Sequence, residues 1–242
     1  MYYYIYDADL ADKKYHKQLV RIEKRLTDLG VNGKVHHLSF LKNISQIIDE
    51  EIKRGISALV IVGDDSTVGQ LINLLPDNQI PIGIIPINTG GSNIIAQSMG
   101  INNADIACDI LSARIIEDIN IGIINQYKFI TSLLITNQSC TIECDHNYSI
   151  SIDNHHSVEI NNLRSNQDDY IQIIIRHHTR NWLAIRHQSS NSIIRARKVN
   201  ITSQQSVTIN IKDENKIIKT PATISILKNH LSFIVGKNRT VK

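Results

Sequence analysis

The sequence predicts an α/β protein: an N-terminal domain built on a parallel sheet, followed by an antiparallel β-sandwich. Three observations carry that expectation. Up to Leu111, short β-branched apolar runs alternate with stretches whose apolar residues recur at helical spacing, the pattern of βα units around a parallel sheet. Two of the runs, Ala58 to Val62 and Ile82 to Ile87, end in small polar loops. After about residue 112 the chain becomes short segments separated by polar turns, several alternating apolar and polar, as half-buried antiparallel strands do. The expected domains are 1–114 and 115–242.

Tyr2 to Tyr6 is the first expected strand, left at Asp7-Ala8-Asp9. Tyr15, Leu19, Ile22, Leu26 and Leu29 share one helix face, and Gly30 closes that helix. Lys34 to Leu38 is a second strand; Ile44, Ile47, Ile48 and Ile52 mark a second helix, ended near Gly55. Ala58 to Val62 reads as a buried parallel strand. The loop Gly63-Asp64-Asp65-Ser66-Thr67 follows, and Val68, Leu71, Ile72 and Leu75 then predict a helix. The unit repeats with Ile82 to Ile87 as strand, Asn88-Thr89-Gly90-Gly91-Ser92 as loop and Asn93 to Met99 as helix. Asn103 is placed to cap a helix over Ala104 to Leu111.

The second half yields expected strands at Ile115 to Ile124, Tyr127 to Ile135, Thr141 to Asp145, Tyr148 to Asp153, Val158 to Asn162 and Tyr170 to Arg176. Ile193 to Thr202, Val207 to Lys212, Thr223 to Leu227 and Leu231 to Val235 complete the set. Many short strands with turns between them predict a sandwich.

Composition narrows the functional classes. The 242 residues allow one large or two small domains, and 42% hydrophobic content suffices for ordinary cores. A net charge of +3 gives no global argument for nucleic acid, so no nucleic-acid partner is expected. Three cysteines, an odd number, argue against a disulfide framework and suit a reducing compartment. The start, Met-Tyr-Tyr-Tyr, lacks a basic signal-peptide region. No apolar run reaches the ~18 residues of a membrane span. The expected localisation is cytoplasmic, with peripheral membrane contact if the substrate is a lipid. Oligomeric state is open, a homodimer included.

A small-residue loop between a strand end and a helix start presents backbone N–H groups at a positive helix pole, a place suited to phosphate. Two such loops at the carboxyl edge of one sheet face a shared crevice. The candidate cofactor-binding residues are therefore Gly63, Asp64, Asp65, Ser66 and Thr67, with Gly90, Gly91, Ser92 and Asn93.

The two loops resemble the catalytic domain of the diacylglycerol kinase family, which includes bacterial lipid kinases and sphingosine kinases and is related to NAD kinases. The family pattern is an apolar strand, Gly-Gly-Asp-Gly-Thr, a helix, a strand ending Gly-Ile-Ile-Pro, and a Gly-Thr-Gly-Asn-Asp-Phe-Ala-like loop. Here the counterparts are Val60-Ile61-Val62-Gly63-Asp64-Asp65-Ser66-Thr67, Gly83-Ile84-Ile85-Pro86, and Gly90-Gly91-Ser92-Asn93-Ile94-Ile95-Ala96. Asp65 and Thr67 are kept, while Asp64 and Ser66 replace glycines. Ser66 adds a Cβ, and Asp64 adds a negative charge beside the expected polyphosphate.

The resemblance continues to the C-terminus. Ile209 to Asn215, Thr220-Pro221 and two final apolar runs are similar to the family's strand, Asp-Gly-Glu turn, Thr-Pro and last strands. It implies ATP and Mg²⁺ as cofactors, a lipid hydroxyl at a membrane surface as acceptor, and an α/β domain followed by a β-sandwich. It assigns Asp213 as general base and Asp65 to nucleotide orientation or Mg²⁺. Asn215 stands where the family has Glu. Asp168 matches the first acid of a turn that holds a structural magnesium in some members, and Gln172 replaces the second. Those departures keep open a non-catalytic relative that binds a nucleotide or lipid as a sensor. An NAD kinase is a further alternative, disfavoured by Asn93-Ile94-Ile95-Ala96 in the second loop.

Arg176, Arg180, Arg186, Arg195, Arg197 and Lys198 surround Trp182 with no acid between. A solvated surface plus a core Trp is preferred over a patch for anionic head groups. Cys140, Cys144 and His146 lie close together but lack the tight CxxC-type spacing of zinc sites.

Overall fold

The structure, a computed structural model, describes residues 1–38, 43–75, 80–162, 170–177, 191–211 and 214–240. They fall into two compact units: Met1 to Asn120 with the segment from Asn229 onward, and Ile121 to Lys228.

The first unit begins with β1 (Tyr2–Tyr6), buried along its whole length although four of its five residues are tyrosines. A buried phenol needs an acceptor. Tyr2 Oη donates to the Leu111 carbonyl at 3.1 Å, Tyr4 Oη to the Val31 carbonyl, and Tyr6 Oη to Glu23 at 3.3 Å. Burial pushes the Tyr4 and Tyr6 hydroxyls well above the usual phenol range. Two short 3₁₀ turns (Ala8–Ala11 and Lys13–Tyr15) lead into α1 (His16–Asp28), which buries Leu19, Ile22 and Leu26. Then come β2 (Gly33–His37), α2 (Ile44–Lys53), β3 (Ala58–Gly63), α3 (Asp65–Ile72), β4 (Ile82–Pro86), α4 (Ile94–Ser98) and α5 (Ala104–Ala113). Asn43 and Asn103 cap α2 and α5 by accepting from the amides of Gln46 and Ile106.

β1 pairs in parallel with β2 on one side and β3 on the other, and β4 continues in parallel beyond β3. The chain thus reverses its progress across the sheet between β1 and β3. In an open parallel sheet this is the switch point, where the strand carboxyl ends leave room for a ligand. β3 is buried at all six residues, as a central parallel strand is.

β5 (Ile116–Ile124) carries the chain out of the first unit. The second unit contains β6 (Tyr127–Phe129), β7 (Ser132–Thr136), β8 (Cys140–Cys144), β9 (Tyr148–Ile152), β10 (His156–Asn161), β11 (Ile171–His177), β12 (Asn191–Ala196), β13 (Val199–Thr202), β14 (Val207–Ile211) and β15 (Glu214–Ile218). β16 (Ala222–Ile234) begins in this unit and ends in the first. One antiparallel sheet runs β12-β11-β10-β7-β14-β15. In the other layer β13 lies between β8 and the start of β16, and β9 pairs with β8. Alternate residues from both layers, among them Ile142, Ile160, Ile173, Ile201, Ile209 and Ile224, form one buried cluster. That is the sandwich the alternation predicts.

Several boundaries differ from expectation. Ile193 to Thr202 is two strands, β12 and β13, in different sheets. The chain breaks where the Asp145 carboxylate accepts the backbone amides of Arg197 and Lys198, at 2.9 and 2.8 Å. Tyr127 to Ile135 is likewise two strands, separated at Ile130 and Thr131. The two last expected strands are one strand, β16, which absorbs Asn229 at φ 47°. β15 was not expected at all. Residues from 229 onward, assigned by the sequence to domain 115–242, belong to the first unit. There Phe233 pairs in parallel with Ile82, and the amides of Val235 and Gly236 donate to Ile115 and Met99 at 2.8 Å. Burial of Phe233, Ile234 and Val235 holds the segment in place.

Phe233→Ala should therefore destabilise the first unit, by about 3–5 kcal/mol in urea unfolding, the range for a buried Phe truncated to Ala. Amide exchange along β4 should accelerate with it. Unchanged stability and unchanged β4 protection would mean that this strand is not part of the first unit's core.

Candidate functional site

The two loops after β3 and β4 are clamped to each other by two adjacent aspartates. Asp64 is the N-cap of α3. Its Oδ1 accepts from the Ser66 amide at 3.0 Å and the Thr67 amide at 3.4 Å, the usual satisfaction of a helix start. Its Oδ2 reaches across to the second loop and accepts from Thr89 Oγ1 at 2.7 Å and the Gly91 amide at 2.8 Å. Asp64 is 5% exposed.

Asp65 is 1% exposed and ties the same loops from the other side. Its Oδ2 accepts from Ser92 Oγ at 2.6 Å and the Ile94 amide at 2.8 Å; its Oδ1 accepts from the Ile95 amide at 2.9 Å. Its own amide donates to the Ser92 carbonyl at 2.8 Å. The residue at the start of α4, Asn93, makes no side-chain cap. A carboxylate from the preceding loop takes that place.

A third acid, Asp7, follows β1. Its Oδ2 accepts from Thr67 Oγ1 and its amide donates to the Val62 carbonyl at 2.9 Å. Asp7 and Thr67 thus bridge the carboxyl ends of β1 and β3, at the switch point. The close approach explains Gly63: a Cβ there would lie 2.7 Å from Thr67 Oγ1 and 3.1 Å from Asp7 Cβ. Gly91 is similarly constrained, since a Cβ would lie 2.8 Å from Asp64 Oδ2. Gly90 takes φ 142°, and its amide donates to Asn88 Oδ1 at 3.0 Å.

The structure thus brings together Gly63, Asp64, Asp65, Ser66, Thr67, Gly90, Gly91, Ser92 and Asn93. It uses several of them differently from the sequence expectation. The amides of Ser66, Thr67 and Gly91, expected to receive phosphate, already donate to Asp64. A phosphate does not fit onto those donors while Asp64 stays in place. Both oxygens of Asp65, the expected Mg²⁺ ligand, already accept hydrogen bonds. No cluster of three or more His, Cys, Asp or Glu side chains is arranged to hold a metal among the described residues, although Mg²⁺ commonly takes only one or two carboxylates and completes its shell with phosphate and water. Asp7 and Thr89 are the participants that sequence reasoning missed. Asp7 carries one signal, its position directly after a strand, like Asp64.

Asp213 and Asp168 lie outside the described residues. Asn215, at the position of the family's Glu, sits opposite Asn210 in the β14–β15 pair and accepts from its Nδ2 at 3.2 Å. In the basic stretch, Arg176 pairs with Glu159 at 2.5 Å and the Arg197 guanidinium lies over the Tyr170 ring at 5.1 Å. Arg180, Trp182 and Arg186 lie outside the described residues. Cys140 and Cys144 belong to the buried cluster of the second unit. A polar cleft of about 800 Å³ in that unit, lined by residues such as Gln138, Thr141, Ser203 and Gln205, has no charged side chain among its described lining residues.

Asp65→Ala removes the buried acceptor that the Ser92 hydroxyl and the Ile94 and Ile95 amides share. It should cost about 3 kcal/mol, since hydrogen bonds to a charged group contribute ~1.5–3 kcal/mol each and partial resolvation offsets part of the loss. The amides of Ile94 and Ile95 should exchange faster. Denaturant unfolding and amide exchange measure both, and unaltered exchange at those two amides would refute the capping role.

Comparison with known proteins agrees with this architecture. The sequence pattern of the diacylglycerol kinase catalytic domain matches residues 2–124. A diacylglycerol kinase of Bacillus subtilis strain 168 is 26% identical over 130 residues, covering 52% of this chain and 42% of that protein. One from Mycobacterium tuberculosis is 27% identical over 114 residues, covering 46% of this chain and 35% of that protein. The chain thus aligns with less than half the length of these relatives. A diacylglycerol kinase structure from Bacillus anthracis superposes with a TM-score of 0.75 at 16% identity, covering 98% of this chain and 97% of that one. An NAD kinase of Archaeoglobus fulgidus in complex with ATP gives a TM-score of 0.59 at 12% identity, with 99% and 96% covered. At these identities the structures establish the shared fold, and the sequence match extends over just over half of the chain. On that match, the chain belongs to the diacylglycerol kinase catalytic domain family.

Proposed function

We propose that the chain is a phosphotransferase of the diacylglycerol kinase type, moving the γ-phosphoryl group of ATP to a lipid hydroxyl such as that of diacylglycerol. One observation carries this reading: in a chain of this family, two βα loops are locked together at the carboxyl edge of a parallel sheet, beside its switch point. Open α/β sheets bind their ligands there.

ATP with Mg²⁺ supplies the phosphoryl group and the counter-charge that such a transfer needs. The chain's own residues have separate tasks. Asp65 fixes the second loop against the first and sets the start of α4. Asp7 and Thr67 fix the floor of the crevice between β1 and β3. Asp213 is proposed to take the proton from the acceptor hydroxyl, the role its match to the family assigns. A carboxylate suits that task when it lies within hydrogen-bond reach of the hydroxyl. A lipid acceptor requires contact with a membrane surface. No helix among the described residues is long and apolar enough to cross one, and the proposed contact is peripheral.

A second reading is a non-catalytic relative that binds a nucleotide or lipid. The engagement of Asp64 by the expected phosphate donors favours it, as does Asn215 in place of an ionisable residue.

The deciding experiment is transfer of label from γ-labelled ATP with Mg²⁺ to diacylglycerol in mixed micelles. Wild type should label the lipid, and Asp213→Asn should label it at least ~10²-fold more slowly, the lower range for losing a general base. No labelled lipid from a protein that still binds ATP by calorimetry would reject the kinase in favour of the second reading.

A further inference from the structure

We propose that Asp64 is a resident anion that holds the phosphate seat of this crevice closed, and so sets how weakly the chain binds a polyphosphate. The inference rests on reading the crevice as a nucleotide site.

The donors around Asp64 come from two separate segments. Ser66 and Thr67 offer backbone amides from the first turn of α3; Gly91 offers an amide and Thr89 a hydroxyl from the loop after β4. Four donors within 2.7 to 3.4 Å of one carboxylate form the kind of set that binds two oxygens of a phosphate. In this chain the two oxygens belong to a side chain.

The second loop is shaped around that carboxylate. A Cβ on Gly91 would stand 2.8 Å from Oδ2 and 3.0 Å from Cγ of Asp64. Any larger residue at 91 would push the carboxylate out of its seat. Asp64 is nearly fully buried, so its charge is directed into the crevice wall and not toward bulk water. Asp65, deeper still, places a second carboxylate in the same corner. An incoming phosphate would compete with Asp64 for its donors and would meet two negative charges where solvent screening is weak. Removing the charge at 64 relieves the repulsion, and removing the side chain also frees the donors.

The test is calorimetric titration of wild type, Asp64→Gly and Asp64→Asn with ATP plus Mg²⁺, with inorganic triphosphate, and with adenosine. Both variants should bind ATP and triphosphate at least tenfold more tightly than wild type, while adenosine binding stays the same. Asn is itself a favoured N-cap, so Asp64→Asn keeps an acceptor for the Ser66 and Thr67 amides and provides a folded variant should Asp64→Gly fail to fold. Equal triphosphate affinity in wild type and Asp64→Asn would overturn the inference and leave the nucleotide reading intact. A gain for adenosine as large as that for triphosphate would also overturn it, because the effect would then not track the phosphates. Folded variants that bind neither ATP nor triphosphate would overturn the nucleotide reading and this inference together.

Discussion

Two buried carboxylates, Asp64 and Asp65, impose the constraint on which the candidate site depends. An ionised carboxylate removed from water costs several kcal/mol unless hydrogen bonds replace its hydration. Among the described residues at least seven donors meet that demand, four on Asp64 and at least three on Asp65. All seven come from the start of α3, the loop after β4 and the start of α4. Those segments are therefore not independent. The conformation of the second loop, with Gly90 at φ 142° and Gly91 against Oδ2, follows from the first loop's need for donors.

The same constraint links the loops to the sheet. Thr67 donates one way, to Asp7 beyond β1, and its amide donates the other way, to Asp64. One residue in the first turn of α3 thus connects the end of β1 with the cap of its own helix. The parallel order β2-β1-β3-β4 sets these strand ends side by side. The sheet supplies position and the acids supply rigidity, which suits a site whose reacting groups need fixed geometry.

Much of the fold was legible because apolar periodicity reports burial directly. The helices α1, α2 and α5 and the strands β1, β3 and β4 all follow from it. β15 escaped because Glu214, Asn215 and Lys216 give an edge strand no apolar face, and Ile217 points to solvent. The continuity of β16 escaped because Lys228-Asn229 reads as a turn, and the partners on either side of it, β13 at Ala222 to Ile224 and β4 at Phe233, are distant in sequence. At the site, glycine and aspartate composition showed where the loops lie. It did not show which donor meets which acceptor, because Asp7 and Thr67 are 60 residues apart and Asp64 and Thr89 are 25 apart. The sequence placed Asp64 as a charge problem beside a phosphate. The fold resolves that charge by giving it four donors, three of them amides that the sequence reading assigns to phosphate.

That exchange separates fold from activity. A nest of backbone amides binds whichever anion reaches it, and the backbone does not distinguish a ligand's oxygen from a side chain's. A single acidic residue at position 64 can therefore preserve every feature that makes these loops recognisable, including the capped helix, the tight glycines and the cross-loop ties, while changing what the loops hold. Membership of the family follows from the pattern and the sheet. Under the proposed kinase reading, catalysis depends in addition on whether an external phosphate displaces the internal carboxylate, a competition set by a few hydrogen bonds and one charge. The structural features that best support the nucleotide reading are thus the same ones through which Asp64 opposes it.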